Sequence, residues 1–433
     1  MENLTHQDVV NLFLQLAAML LLARVFAEIA QRFRQPAVVG ELLAGILLGP
    51  TILGTFIPDF HEYLFMSNPS ANLALDGFVQ IAVVLLLFIA GLEVELHLVW
   101  SQGKSALSIS LLGLVVPFAL GFVFPYYFPN FFGLADGDRL LFSLFMGTAM
   151  SITALPVVVR ILMDMNLFKT KMGMLIVASA MVNDIIGWLI FSVILSFMGK
   201  GSNLSLFQTI GITLVFTFFM LTLGKVIINR VLPWVNKKLA WPGGVLSLSM
   251  AFCFLSAAFT EWLGIHAIFG AFLLGVALGD SEHMSERAKE IVHQFINNIF
   301  APLFFVSIGL KINFFTNFEL LLTLAILVIS FAGKIVGSGY GAYRGGFNIK
   351  ESLAVGFGMN ARGAMEIILG LIALENGLID EKLFVALVVM AIVTSMTSGP
   401  LMKWALKPVK LDLAGVGPKT DFHDKRLSSE ESD

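Results

Sequence analysis

Thirteen apolar runs, each close to the length of one bilayer crossing, take up most of this 433-residue chain. They lie at 7–29, 36–54, 74–96, 104–128, 138–162, 171–198, 206–232, 243–262, 265–280, 287–310, 318–341, 348–374 and 381–405, and are called runs 1 to 13 here. A helix needs about 20 mostly apolar residues to cross the hydrocarbon core. In lipid every backbone N–H and C=O must be satisfied inside the structure, so runs of this length predict helices. Runs 8 and 9 are nearly continuous; Glu261, Gly264 and His266 mark the break between them. Composition points the same way, with 57% hydrophobic residues, 13% charged and a mean hydropathy of +0.87. Soluble domains carry about 25% charged residues. The expected fold class is an all-α polytopic membrane protein. The net charge of −3 points to no nucleic-acid partner, and none is expected. The lone cysteine, Cys253, excludes an intrachain disulfide and reads as a buried small hydrophobe. The acidic start "MENLTHQDVV" lacks the cationic region and cleavage site of a signal peptide, so the first helix is expected to be retained.

Basic residues orient the chain. The loops after the odd-numbered runs hold thirteen Lys and Arg, whereas the opposite side holds four: Arg139, Lys200, Lys311 and Lys382. The positive-inside rule then puts the N-terminus outside and the C-terminus in the cytoplasm of a cell (inner) membrane. Of the remaining cations, Arg24 and Lys225 fall near cytoplasmic ends of runs 1 and 7, where they can snorkel.

The chain also repeats itself. "GELLAGILLG", with Gly40, Gly45 and Gly49, matches "GAFLLGVALG", with Gly270, Gly275 and Gly279. "LFIAGLEVEL" from Leu87 is echoed by "FFVSIGLKIN" from Phe304. The partners lie seven runs apart, so the copies have opposite orientation in the membrane. Inverted repeats belong to transporters whose site lies near the midplane where the repeats meet. The expected organisation is a membrane domain over 1–410, with repeat 1 at 7–198, a linker helix at 206–232 and repeat 2 at 243–405. A polar, disordered cytoplasmic tail is expected at 411–433.

Few ionisable groups lie deep in the runs. An aspartate at the centre of a membrane helix costs roughly 2.5–3.5 kcal/mol on insertion scales, and such groups are functional candidates. Run 6 carries Asn183 and Asp184 side by side in "MVNDIIGWLIF", run 11 carries Lys334, run 12 carries Arg362 and Glu366, and run 2 carries Glu41. Arg362 and Glu366 are four apart and can pair on one helix face. Glu41, near the start of its run, suits an interfacial or packing role. Asp184 has no opposite charge within four residues, so its partner must come from another helix or from a bound cation; Lys334 is similarly isolated.

Run 5 reads "GTAMSITALPVVVRIL". Pro156 removes an N–H and crowds the carbonyl of Ile152, and Ser151, Thr153 and Ala154 let the backbone unwind. Freed carbonyls and the Thr153 hydroxyl are hard oxygen ligands suited to Na⁺ or K⁺. The equivalent run 12 has Gly356, Gly358, Asn360 and Gly363 at its own expected break. Two broken helices facing each other would direct their dipoles at a midplane site.

"GELLAGILLGPTILG", "LFIAGLEVEL", "ASAMVNDIIGW", "FGAFLLGVALG" and "MNARGAMEIIL" together resemble the monovalent cation:proton antiporters of the CPA2 branch, Kef-type and NapA-like, across runs 2 to 13. The resemblance implies about thirteen transmembrane helices in the NhaA/NapA-like fold, with two crossing discontinuous helices. It also implies a homodimer with a dimerisation domain and a core domain that moves like an elevator. Position by position, it implies that Asp184 binds ion and proton, that Asn183 stands where electrogenic members have a second aspartate, and that Thr153 helps ligate the ion. Lys334 matches the lysine that pairs with that second aspartate, so with Asn183 in place it would approach Asp184 or satisfy the broken end of run 12. Kef proteins also carry a C-terminal nucleotide-binding domain, for which this tail is too short.

The expected function is therefore a secondary active Na⁺ or K⁺/H⁺ antiporter embedded in membrane lipid. It is electroneutral, is not an enzyme and carries no cofactor or resident metal. Asp184 binds cation and proton competitively with Asn183 and Thr153, supported by Lys334, Arg362 and Glu366 and by breaks at Pro156, Gly358 and Gly363. The alternatives are a cation channel, which would need a filter or charged ring that the sequence lacks, and an organic-anion symporter of the same fold, for which only Arg362 and Lys334 are deep enough. A membrane-anchored sensor or enzyme fits poorly, because the histidines are scattered.

Overall fold

The computed structural model describes residues 5–33, 35–66, 69–94, 96–134, 137–165, 167–168, 170–198 and 206–406. The tail at 411–433 lies outside the described residues. Every regular element among them is helical. Eleven helices are long and apolar enough to cross a membrane. Two of the thirteen runs do not count by that measure, for different reasons. Run 9 forms a 13-residue helix, Ala267–Gly279. Run 12 divides into two helices, Ile349–Met359 and Ala364–Glu375.

Helix ends follow local chemistry. His6–Arg32 starts with a capping box, in which Thr5 accepts from the Asp8 N–H and Asp8 accepts from the Thr5 N–H. Ile349–Met359 starts the same way from Asn348 and Glu351. Runs 7 and 10 each contain a π turn, at Met220–Gly224 and Ile296–Phe300.

The helices pack in two groups. Runs 1, 2, 3, 8, 9 and 10 lie mainly on one another, as do runs 4, 5, 6, 11, 12 and 13, with run 7 touching run 6 on one side and runs 8 and 9 on the other. The two glycine series set matching contacts. A Cβ on Gly45 would come within 2.4 Å of the Val306 carbonyl oxygen in run 10, and one on Gly275 within 2.2 Å of the Phe88 carbonyl oxygen in run 3. Gly40 meets run 1 at Phe26, and Gly270 meets run 8 at Ser256. These contacts are backbone against backbone, and any larger residue would push the helices apart.

A third glycine series positions the site. In helix Leu320–Arg344, Gly333, Gly337 and Gly341 lie against Pro117, Leu112 and Ile109 of helix Leu96–Tyr127. This close approach brings the buried Lys334 beside the backbone of run 4. Of the cations expected to snorkel, Arg24 pairs with Glu28 one turn on. Lys225 instead finds a partner across the bundle, meeting Asp280 at 2.5 Å.

Candidate functional site

Run 5 is broken. Asp138 caps helix Arg139–Ser151 by accepting from the N–H groups of Leu140 and Leu141. Ile152, Thr153 and Ala154 are non-helical, and helix Leu155–Asp164 follows with Pro156 in its first turn. There the missing proline N–H costs nothing, because first-turn N–H groups have no partner inside the helix. Pro156 therefore starts the second half-helix rather than kinking a continuous one.

Run 12 is broken at Asn360–Gly363. Gly358 lies inside the first half-helix, two residues before that break. The breaks touch. The Ala154 N–H donates to the Ala361 carbonyl at 2.9 Å, and the Thr153 hydroxyl donates to the Met359 carbonyl at 3.1 Å. A Cβ on Gly363 would stand 2.9 Å from that of Ala154, so only glycine fits this crossing without displacing it.

The last four carbonyls of an α-helix have no partner inside it. In Arg139–Ser151 all four are accounted for. Thr148 O accepts from the Ser151 hydroxyl at 2.8 Å. Arg362 donates to Ala149 O and to Met150 O, each at 2.6 Å. Lys334 donates to Ser151 O. Two cations thus sit at the negative end of this half-helix dipole. Arg362 also meets Glu366 at 2.8 Å, while the second oxygen of Glu366 and the Nε of Arg362 have no hydrogen-bond partner.

Lys334 donates further to Gly113 O at 2.9 Å and to the Thr153 hydroxyl at 2.7 Å. Orienting the Asn183 amide by its hydrogen-bond network lets its nitrogen donate to the Ser110 hydroxyl at 2.8 Å and to the Ser110 carbonyl at 2.9 Å, while its oxygen accepts from Lys334 at 3.2 Å. Lys334 therefore satisfies the broken end of run 5. It lies close enough to act on Asp184 across space, the first of the two expected placements, without an ion pair to it, and its backbone acceptors lie in runs 4 and 5 rather than at the broken end of run 12.

Asp184 is fully buried, and neither of its oxygens has a hydrogen-bond partner among the described residues. The groups acting on it across space are Lys334, Glu93 and the Leu155 N–H at the start of the second half-helix. The structure therefore brings Asp184, Asn183, Thr153, Lys334 and the two breaks to one place, with Arg362 and Glu366 beside them. Thr153 already uses its proton on Met359 O and one lone pair on Lys334, leaving one lone pair for a cation. Glu41 is elsewhere, buried in helix Ala37–Leu48 within the field of Arg24.

Sequence reading did not single out Ser110 and Gly113, which carry no charge or motif to betray them. It placed Asn360 at the break without foreseeing that both polar atoms of its buried amide lack partners. A buried ionised carboxylate without hydrogen bonds is costly. What this arrangement can do is hold a neutralising proton or a small cation at Asp184, one at a time.

Comparison with known proteins follows that chemistry. Residues 17–407 match the family described as "Sodium/hydrogen exchanger, transmembrane". The chain is 34% identical over 421 residues to Cation/H(+) antiporter 17 of Arabidopsis thaliana, covering 94% of this chain and 50% of that protein, so it spans about half the length of that relative. It is 32% identical to Na(+)/H(+) antiporter NhaS4 of Synechocystis over 88% of this chain and 93% of that one. It is 30% identical to Na(+)/H(+)-K(+) antiporter GerN of Bacillus cereus over 90% and 95%. Among solved structures, the sodium proton antiporter MjNhaP1 of Methanocaldococcus jannaschii superposes with a TM-score of 0.62 at 18% identity, covering 92% of this chain and 97% of that one, and shares the fold.

Proposed function

This chain belongs to the sodium/hydrogen exchanger family of membrane transporters, and from that premise we propose that it exchanges Na⁺ or K⁺ for H⁺ with Asp184 as the shared binding group. The observation that carries this reading is the fully buried Asp184 carboxylate, unpartnered where two broken helices cross. The Leu155 N–H supplies the positive end of a half-helix to the ionised form. A proton or an alkali cation completes the neutralisation, and one excludes the other. The empty, charged site is the costly state, so the carrier crosses between its two faces loaded.

Exchange at this site is electroneutral. Asn183 contributes no second charge, and Lys334 spends its three N–H donors on Gly113, Ser151 and Thr153, with the Asn183 oxygen 3.2 Å away. With one titrating group per cycle, one cation moves against one proton. The matching glycine contacts of runs 2 and 9 support inverted repeats over 7–198 and 243–405, joined by a linker at 206–232. The two packing groups support a moving core against a scaffold that forms a homodimer, in the inner membrane with the N-terminus outside.

The test is proton flux in proteoliposomes holding a pH dye, driven by Na⁺, K⁺ or Li⁺ gradients, with and without a clamped membrane potential. Saturable exchange insensitive to voltage is expected. A rate that follows voltage would overturn electroneutrality, and ohmic current without proton movement would overturn antiport.

A further inference from the structure

In the state seen here Asp184 has no contact with solvent, and a proton reaching it in this state passes through neighbouring groups or water. Two charged side chains act on it across space. Lys334 is committed to carbonyls, which leaves Glu93. This residue follows the end of helix Pro69–Leu92. One of its oxygens meets His293 Nε2 at 2.6 Å, and the Glu93 and His293 side chains keep 25% and 31% of their surface exposed. The other oxygen of Glu93 is buried and has no hydrogen-bond partner. Behind it, His293 Nδ1 meets the Asn297 Nδ2 at 2.7 Å. With the Asn297 amide assigned in this orientation Nδ1 accepts, and the neutral imidazole is assigned the tautomer with its proton on Nε2, toward Glu93.

Glu93 thus touches solvent through a histidine-held oxygen and turns a free oxygen into the protein, within the field of Asp184. We propose that Glu93, positioned by His293 and Asn297, is the proton-relay residue between one face of the membrane and Asp184. Solvent gives a proton to the Glu93 carboxylate. The resulting acid passes it through water to the ionised Asp184, which releases its cation, and Glu93 returns to carboxylate. His293 fixes the orientation of Glu93 by donating from Nε2. In acid it takes a second proton on Nδ1, and Asn297 must then turn its amide to offer oxygen.

Among the described residues few other charges bear on the pair; Gly279 lies against Leu92, and Asp280 after it is paired with Lys225. Glu290 acts on His293 from its own helix. Helix Gly243–Trp262 also packs on Glu286–Phe295, but its ionisable groups are Cys253 and Glu261, and Glu261 is occupied at the far end accepting from the Ala267 N–H at 2.7 Å. The π turn Ile296–Phe300, packed on Pro69–Leu92, brings no ionisable side chain. Counting the runs from an outside N-terminus puts this cluster on the cytoplasmic side.

The relay rests on the exchange reading, and a sided assay separates the two. Proton dependence is measured in everted and right-side-out vesicles for the unmutated protein, Glu93→Gln, Glu93→Asp and His293→Gln, each checked for folding by thermal unfolding. Glu93→Gln is expected to cut maximal exchange about a hundredfold, the low end of the range for a lost proton-transfer group, with the apparent cation KM unchanged. Glu93→Asp should restore much of the rate. His293→Gln should displace the pH profile on the cytoplasmic face only. A normal rate and profile in Glu93→Gln overturns the relay, as does a displacement equal on both faces. Should Glu93→Gln fail to fold, His293→Gln decides alone, and an unchanged profile overturns the proposal. If the unmutated protein moves no protons against cations, both readings fall; indifferent variants of an active protein sink only the relay.

Discussion

Asp184 and Lys334 are both fully buried, yet they answer mutation oppositely. Asp184 has no close hydrogen-bond partner and only the Leu155 N–H bears on its oxygens, so Asp184→Asn removes a charge and keeps an oxygen for that N–H. Exchange should vanish while thermal stability in detergent stays equal or rises; a stable, fully active variant would remove the central claim. Lys334 completes Gly113, Ser151 and Thr153. Lys334→Met should therefore lower stability, by roughly 1–3 kcal/mol for each buried acceptor left alone. Asn183→Asp places a carboxylate where an oxygen already lies 3.2 Å from Lys334. It should draw Lys334 into an ion pair and make exchange voltage-dependent, read as a rate that changes under a clamped potential. The sequence exposed Asp184 because an acid in an apolar run is visible on its own. It could not show where Lys334 goes, because a four-carbon stem can reach any of several helices, and its partners are backbone carbonyls that leave no mark in a sequence.

At the level of elements, the break in run 5 depends on a residue from run 12. Arg362 satisfies Ala149, Met150 and Glu366 together. Arg362→Met strips both carbonyls and leaves Glu366 as an unpaired buried charge, a loss of about 3–5 kcal/mol. Arg362→Met combined with Glu366→Met should recover part of that stability without recovering transport, because the carbonyls stay bare. A double-mutant cycle on thermal unfolding checks this, and strictly additive effects would deny the pairing. The i,i+4 spacing made the Arg362–Glu366 contact readable in advance. Proline marked the break in run 5, though as the start of a half-helix rather than a kink. The sequence did not reveal the capping of run 5 by run 12, which depends on how two distant segments cross. Gly358 was misjudged for a related reason: glycine is frequent in packed membrane helices, so composition alone cannot separate a break from a close contact.

On the scale of the whole molecule, one ion pair among the described residues joins the two packing groups. Lys311 ends a helix of the first group and lies 3.2 Å from Glu375, the last residue of Ala364–Glu375 in the second. Asp76, in the first group, holds the same lysine at 3.0 Å. This end of the bundle lies opposite the Glu93 cluster, since run 10 begins near His293 and ends at Lys311. If exchange requires the groups to move past each other, the Lys311–Glu375 contact must break when this end opens. All three side chains are partly exposed, so the pair is worth at most about 1 kcal/mol. That is too little to alter folding measurably, but a free-energy difference of this size shifts a two-state population about fivefold. Glu375→Gln should therefore leave thermal stability unchanged and raise the apparent cation affinity from the Lys311 side by up to that factor, while Asp76→Asn, within one group, should not. Raising salt should bring the unmutated protein toward the Glu375→Gln value, because exposed pairs are screened. Equal effects from the two variants would mean that Lys311 only solubilises a helix end, and that the latch between the groups must be sought among uncharged contacts.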